Sequence, residues 1–220
     1  ALRARTVHEN VRWLVLAVRL ATRYVRRMGA AATSSVSHSA PGRTTGQFGV
    51  VVFLASDIML FAPFFAAYFL LRSTAAEWPP EGVELDVPRA LLATIVLVAS
   101  SFTLLAGDRA QERGDGRGMR RWLIVTIVLG VAFLVNQFAE YTTIPFRADD
   151  HTYGSVYWGL TGLHTAHVLG GVCALGLLYI RAARTRSLDE ITPWARGVSL
   201  FWHLVDVVWI AVFITIWVIR

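Results

Sequence analysis

Lysine is absent from this 220-residue chain, cysteine occurs once, and charged residues make up only 16%. A single cysteine, Cys173, excludes an intrachain disulfide framework and any Cys-rich metal site. Set within an apolar run, it reads as a small buried side chain. So low a charge content excludes an ordinary soluble domain of this length. Also missing are a phosphate-cradling Gly-rich loop, a dinucleotide-binding Gly pattern, a nucleophile elbow and a Cys-x-x-Cys pair. No familiar catalytic constellation stands on the chain itself.

What the chain does have is apolar length. Hydrophobic residues make up 55%, and mean hydropathy is +0.51. They cluster in runs of about 20 or more, enough to cross ~30 Å of hydrocarbon at ~1.5 Å per residue. Five spans follow, over 47–71, 90–106, 122–141, 154–180 and 198–219, each bounded by charges, Pro or Gly. The expected fold is all-α, a polytopic membrane helix bundle with five transmembrane helices.

The connections alternate in charge. Loop 107–121 holds Arg109, Arg113, Arg117, Arg120 and Arg121, and loop 181–197 holds Arg181, Arg184, Arg186 and Arg196. Loop 72–89 instead carries Glu77, Glu81, Glu84 and Asp86, and loop 142–153 sets Arg147 against Asp149 and Asp150. Basic loops stay in the cytoplasm. The N-terminus is then cytoplasmic and the C-terminus outside, as an odd number of spans requires. The arginines of the inner loops are candidates for anionic lipid headgroups or a surface proton antenna. Trp122, Tyr141, Tyr153, Trp158 and Trp217 fall near span ends and read as interfacial anchors.

Net charge is +6, and the first 27 residues hold seven Arg and one Glu. The excess is therefore a property of an N-terminal arm, expected over 1–45 and followed by a membrane domain over 46–220. Arg5, Arg12, Arg19 and Arg26 recur every seven residues beside the apolar Val11, Leu14, Val15 and Val18. That pattern suits an amphipathic helix on an anionic leaflet. The alternative is a disordered arm whose true start is Met28, followed by a small polar tract.

Ionisable residues inside apolar spans are costly and usually face protein. His203 and Asp206 are three apart and share a helix face, as do His164 and His167. Glu140 stands at the end of span three, and Asp57 about ten residues into span one. Counting ~1.5 Å per residue, Asp206 and His167 reach similar depths in a ~30 Å slab. We therefore expect His167 or His164 to bond Asp206 across neighbouring helices, in an interior polar seam of Glu140, His164, His167, His203 and Asp206. Metal or haem ligation by the paired histidines is the alternative. Asp57 has no evident partner. It reads either as a proton-relay acid or as a helix carboxyl bonding a Ser or a water near Pro63.

Phe201-Trp-His-Leu-Val-Asp-Val-Val-Trp209 resembles the last-helix signature of subunit III of haem–copper oxygen reductases. Thr161-Gly-Leu-His-Thr-Ala-His167, preceded by Tyr153-Gly-Ser155, is similar to another segment of that family. Gln137-Phe-Ala-Glu-Tyr141, Trp78-Pro-Pro80 and Ala99-Ser-Ser101 fit as well, and Leu54-Ala-Ser-Asp57 aligns with the segment holding the family's buried acid. The resemblance runs from Gln47 to Arg220 and points to the short, five-helix bacterial form. It implies a non-redox subunit of a proton-pumping aa3-type cytochrome c oxidase in the bacterial plasma membrane. No cofactor is then held on this chain; haem and copper belong to partner subunits. Subunit I is the main implied partner, with subunit II, other oxidase subunits and structural phospholipid. The implied role is to stabilise subunit I and support proton uptake, with Asp57 as the buried acid. Asp in place of the usual Glu also suits subunit III of a quinol oxidase or an accessory protein of nitric oxide reductase. An independent membrane metalloprotein is the alternative outside the family.

Overall fold

Apolar runs that carry few helix breakers fold as helices wherever water cannot satisfy the backbone. A computed structural model describes residues 41–83, 85–185 and 187–219. The expectation for the arm lies outside the described residues as far as residue 40. The helices are α1 (Pro41–Thr74), α2 (Val87–Glu112), α3 (Gly116–Thr143), α4 (Thr152–Arg184) and α5 (Thr192–Phe213). A single 3₁₀ turn, Leu188–Glu190, precedes α5, and a π turn, Ile214–Val218, continues it. All five helices are long and apolar enough to cross a membrane.

Each helix outruns the apolar stretch that marks it. The polar residues after Ala106 include Arg109, Gln111 and Glu112, good helix formers, so α2 continues to Glu112. Local chemistry sets the true ends. Asp86 caps α2 by accepting from the Arg89 amide at 3.0 Å. Asp115 caps α3 by accepting from the Gly118 amide at 2.9 Å. His151 caps α4, its Nδ1 accepting from the Gly154 amide at 2.7 Å. Only Arg113, Gly114 and Asp115 separate α2 from α3. Gly114 takes φ +75° there, and the Asp115 amide returns to the Ala110 carbonyl at 2.9 Å. A left-handed glycine closing a helix this way forces the antiparallel hairpin.

The compact unit of residues 46–218 has four helices in a ring. α2 packs on α3, α3 on α4, α4 on α5, and α5 back on α2. α5 is the most enclosed: half of its apolar window is buried, against 11% for α1. α1 lies beside the ring and reaches it through a few side chains. Phe53 meets Phe201 at 5.9 Å between ring centroids, and Phe61 meets His167 at 5.0 Å. Pro63 sits inside α1 without ending it.

The expected anchors divide. Trp122 is 40% exposed, while Tyr153 and Trp217 are buried. Tyr153 packs against Trp78, Phe146 and Tyr157, and Trp217 against Trp209 and Phe213. These two rings pack into one end of the core. Cys173, expected to be buried, is exposed; it lies on the outward face of α4.

Trp202 of α5 fills the centre of the ring, fully buried. Its indole lies against two glycines of different helices. A Cβ on Gly130 or on Gly171 would come within 2.7 Å of it. Gly176 on the same α4 has nothing within 4 Å of that position. Gly130→Ala and Gly171→Ala should therefore each overpack the core and destabilise by about 1–3 kcal/mol. Gly176→Ala should be neutral. Thermal midpoints of the purified protein check the contrast.

Candidate functional site

The polar side chains of α5 face hydroxyls on α2. Ser101 Oγ donates to Asp206 Oδ2, and it lies 3.0 Å from His203 Nδ1. A serine has one proton, and here Asp206 takes it. With that proton committed to Asp206, His203 Nδ1 is left to donate to the serine oxygen. Above and below this bridge are three more rungs. Trp209 Nε1 donates to Thr94 Oγ1 at 3.0 Å. Trp202 Nε1 donates to Ser100 Oγ at 3.0 Å. Ser199 Oγ donates to Asp108 Oδ2 at 2.6 Å. The resulting ladder runs along the α2–α5 contact from Thr94 to Asp108, and Gln111 Nε2 donates to Thr192 Oγ1 at 3.0 Å beyond it.

Glu140 is buried at a different junction, between α3 and α4, where Tyr157 donates its hydroxyl at 3.3 Å. Nearby, Tyr141 and Thr165 hydroxyls meet at 3.0 Å. Arg89 of α2 bonds Asn136 of α3 through Nε at 3.0 Å and through its terminal nitrogen, to the carbonyl, at 3.1 Å.

His164 and His167 part company. His164 is fully buried, its ring 4.8 Å from Trp209 and 5.8 Å from Phe133. His167 turns toward α1. Its Nδ1 lies 2.7 Å from the Leu163 carbonyl, which only accepts, so Nδ1 carries a proton. Its Nε2 lies 3.7 Å from Asp57 Oδ1. Asp57 is thus nearly buried, 8% exposed, and paired across two helices.

The expected bond between Asp206 and His164 or His167 is not what forms. Asp206 bonds Ser101, and His167 pairs with Asp57. Depth along the membrane normal matched, but direction around the helix did not: Asp206 faces α2, whereas His167 faces α1. The five seam residues are all in the interior or at its edge, divided among three junctions. Arg109 lies in the last turn of α2 and Arg113 just beyond it, Arg117, Arg120 and Arg121 begin α3, and Arg181 and Arg184 end α4. Arg120 donates to the Ala182 carbonyl at 3.2 Å, and Arg181 stacks over exposed Trp194 at 4.2 Å. Among the described residues, no group of three or more His, Cys, Asp or Glu is placed to hold a metal ion.

A family profile described as "Cytochrome c oxidase subunit III" matches residues 6–219. The chain belongs to that family. "Probable cytochrome c oxidase subunit 3" of Mycobacterium tuberculosis is 41% identical over 207 residues, covering 90% of this chain and all of the relative. The Nocardia farcinica protein of the same description is 40% identical over 196 residues, covering 87% and 96%. "Cytochrome c oxidase subunit 3" of Thermostichus vulcanus is 35% identical over 173 residues, covering 78% and 86%. Family membership and the five apolar helices make this a multi-pass plasma-membrane protein and a subunit III of a haem–copper oxidase.

Reading the sequence for ionisable groups passed over the α2 side of the ladder. Hydroxyls in apolar runs are common and usually bond their own backbone. One signal was available. Thr94, Ser101 and Asp108 recur every seven residues on α2, and Ser199 and Asp206, like Trp202 and Trp209, are seven apart on α5. Matching heptads place facing residues along one seam. Ser101→Ala strips both Asp206 and His203 of their partner. It should cost about 1–3 kcal/mol, the penalty for stranding buried polar groups. Ser56→Ala, which removes only a bond from an exposed hydroxyl to the Val52 carbonyl, should leave the thermal midpoint unchanged.

Proposed function

We propose that the chain is the non-redox subunit III of a proton-pumping aa3-type cytochrome c oxidase in aerobic respiration. It stabilises subunit I through turnover and supports proton uptake. The observation that carries this reading is the Asp57–His167 pair. An acid and an imidazole stand 3.7 Å apart on helices that are otherwise loosely joined, where a proton can be held within the membrane. Every other buried acid described above is engaged in holding helices together. The chain thus supplies structure and a proton-bearing group, while haem and copper reside on partner subunits I and II.

Charge supports a cytoplasmic N-terminus and an external C-terminus. Arg109, Arg113, Arg120, Arg121, Arg181 and Arg184 all lie at one end of the bundle, where helices α2 to α5 turn. Basic ends stay in the cytoplasm. There they favour anionic phospholipid headgroups and gather protons from the surface. The relatives, described as cytochrome c oxidase subunits, favour cytochrome c as electron donor over quinol.

Gentle solubilisation should bring down this chain with a haem-bearing subunit I and a copper-bearing subunit II. Stoichiometric iron or copper on the isolated chain would contradict the reading. In that complex, Asp57→Ala should leave assembly intact, slow proton uptake and shorten the catalytic lifetime several-fold. Proton-uptake kinetics and turnover-dependent inactivation measure both effects.

A further inference from the structure

The Asp57–His167 pair borders a cavity of about 10 Å³. His164 also lines it, together with Phe61 of α1 and aliphatic side chains of α5. We propose that one ordered water molecule occupies this cavity and joins Asp57, His167 and His164 into a single hydrogen-bonded unit.

Three observations lead there. First, size: about 10–15 Å³ is the least that admits a water, so the space fits one and not a chain of them. Second, orphaned atoms: Asp57 Oδ2 and both ring nitrogens of His164 are buried without a hydrogen-bond partner. Native interiors rarely leave such atoms without a partner, and both residues border the cavity. Third, distance: Asp57 Oδ1 and His167 Nε2 are 3.7 Å apart, too far for a direct hydrogen bond. A polar contact at that range leaves room to ask whether a water lies beside it and bonds both groups.

The donors and acceptors match. His167 Nδ1–H is committed to the Leu163 carbonyl, so in the neutral ring Nε2 accepts. Neutral His164 offers one N–H and one bare nitrogen. A water donates one O–H to the Asp57 carboxylate and one to His167 Nε2, and accepts from the His164 N–H. Buried waters typically make about three bonds, and this site provides three.

The water also gives the unit a proton path. When Asp57 is protonated, its O–H proton passes to the water as the water's own proton passes to His167 Nε2. The water is regenerated, and a carboxylate and an imidazolium remain. One proton is thereby shared across α1 and α4 without movement of either helix. The inference rests on the described geometry and holds whether or not the electron donor is cytochrome c.

The test is a cryo-EM map of the native assembly, sharp enough to show internal waters, with infrared spectra of the same sample. The map should show one density feature within hydrogen-bond reach of Asp57 and His164. The Asp57 carboxyl band, assigned by its loss in Asp57→Asn, should shift on His164→Leu. If that variant does not assemble, His164→Gln reads the same shift. An empty cavity in a map that shows waters elsewhere would overturn the proposal. So would a carboxyl band indifferent to replacement of His164.

Discussion

Hydrocarbon offers a polar group nothing to bond, so a hydroxyl, indole, imidazole or carboxyl of a membrane helix is satisfied by its own backbone or by another helix. The α2–α5 ladder is the main answer to that constraint here. Thr94, Ser100, Ser101 and Asp108 of α2 meet Trp209, Trp202, Asp206 with His203, and Ser199 of α5. One register satisfies every rung at once. A slip of one turn would strand all of them, so the ladder specifies how the two helices pair as well as stabilising them. It also explains the two tryptophans: each buries a large apolar ring in the ring's centre and delivers its single N–H to a hydroxyl on α2. Gly130 and Gly171 complete the fit by letting the backbones of α3 and α4 come up against Trp202.

α1 obeys a different logic. It contributes little to the core, with Phe48, Val51, Met59 and Leu70 exposed, and it meets α4 and α5 through scattered aromatics. Where Asp57 meets His167, an acid faces an imidazole beside a small void. The four-helix ring can hold its shape while that contact changes protonation, because no rung of the ladder depends on it. On the proposed reading, the ladder holds the ring together while the Asp57–His167 contact bears the proton.

Much of this was legible in the sequence. Hydropathy alone located the five helices, because lipid thickness dictates the length of an apolar run. Their ends were less legible: Arg, Gln and Glu end an apolar run but continue a helix, so α2 and α4 extend past their spans. The interior position of Glu140, His164, Asp206 and Asp57 followed from the cost of exposing them to lipid. Their partners did not follow. Depth can be counted along a chain, but the direction a side chain takes depends on which helices are neighbours. His167 and Asp206 share a depth and point to different helices, and Asp57 finds the partner that no local pattern announced. The serine and threonine rungs were masked by how ordinary such residues are in apolar helices. Their seven-residue spacing was the one trace of their role.

The central claim is that the buried acid of α5 is held by the hydroxyl of α2. A double-mutant cycle of Ser101→Ala and Asp206→Asn, read as thermal stability of the native assembly, tests it most directly. A bonded pair should give a coupling of about 0.5–3 kcal/mol, with the double variant less damaged than the sum of the singles. Additive effects would mean that the two side chains act independently, and the ladder could not then be what pairs these helices.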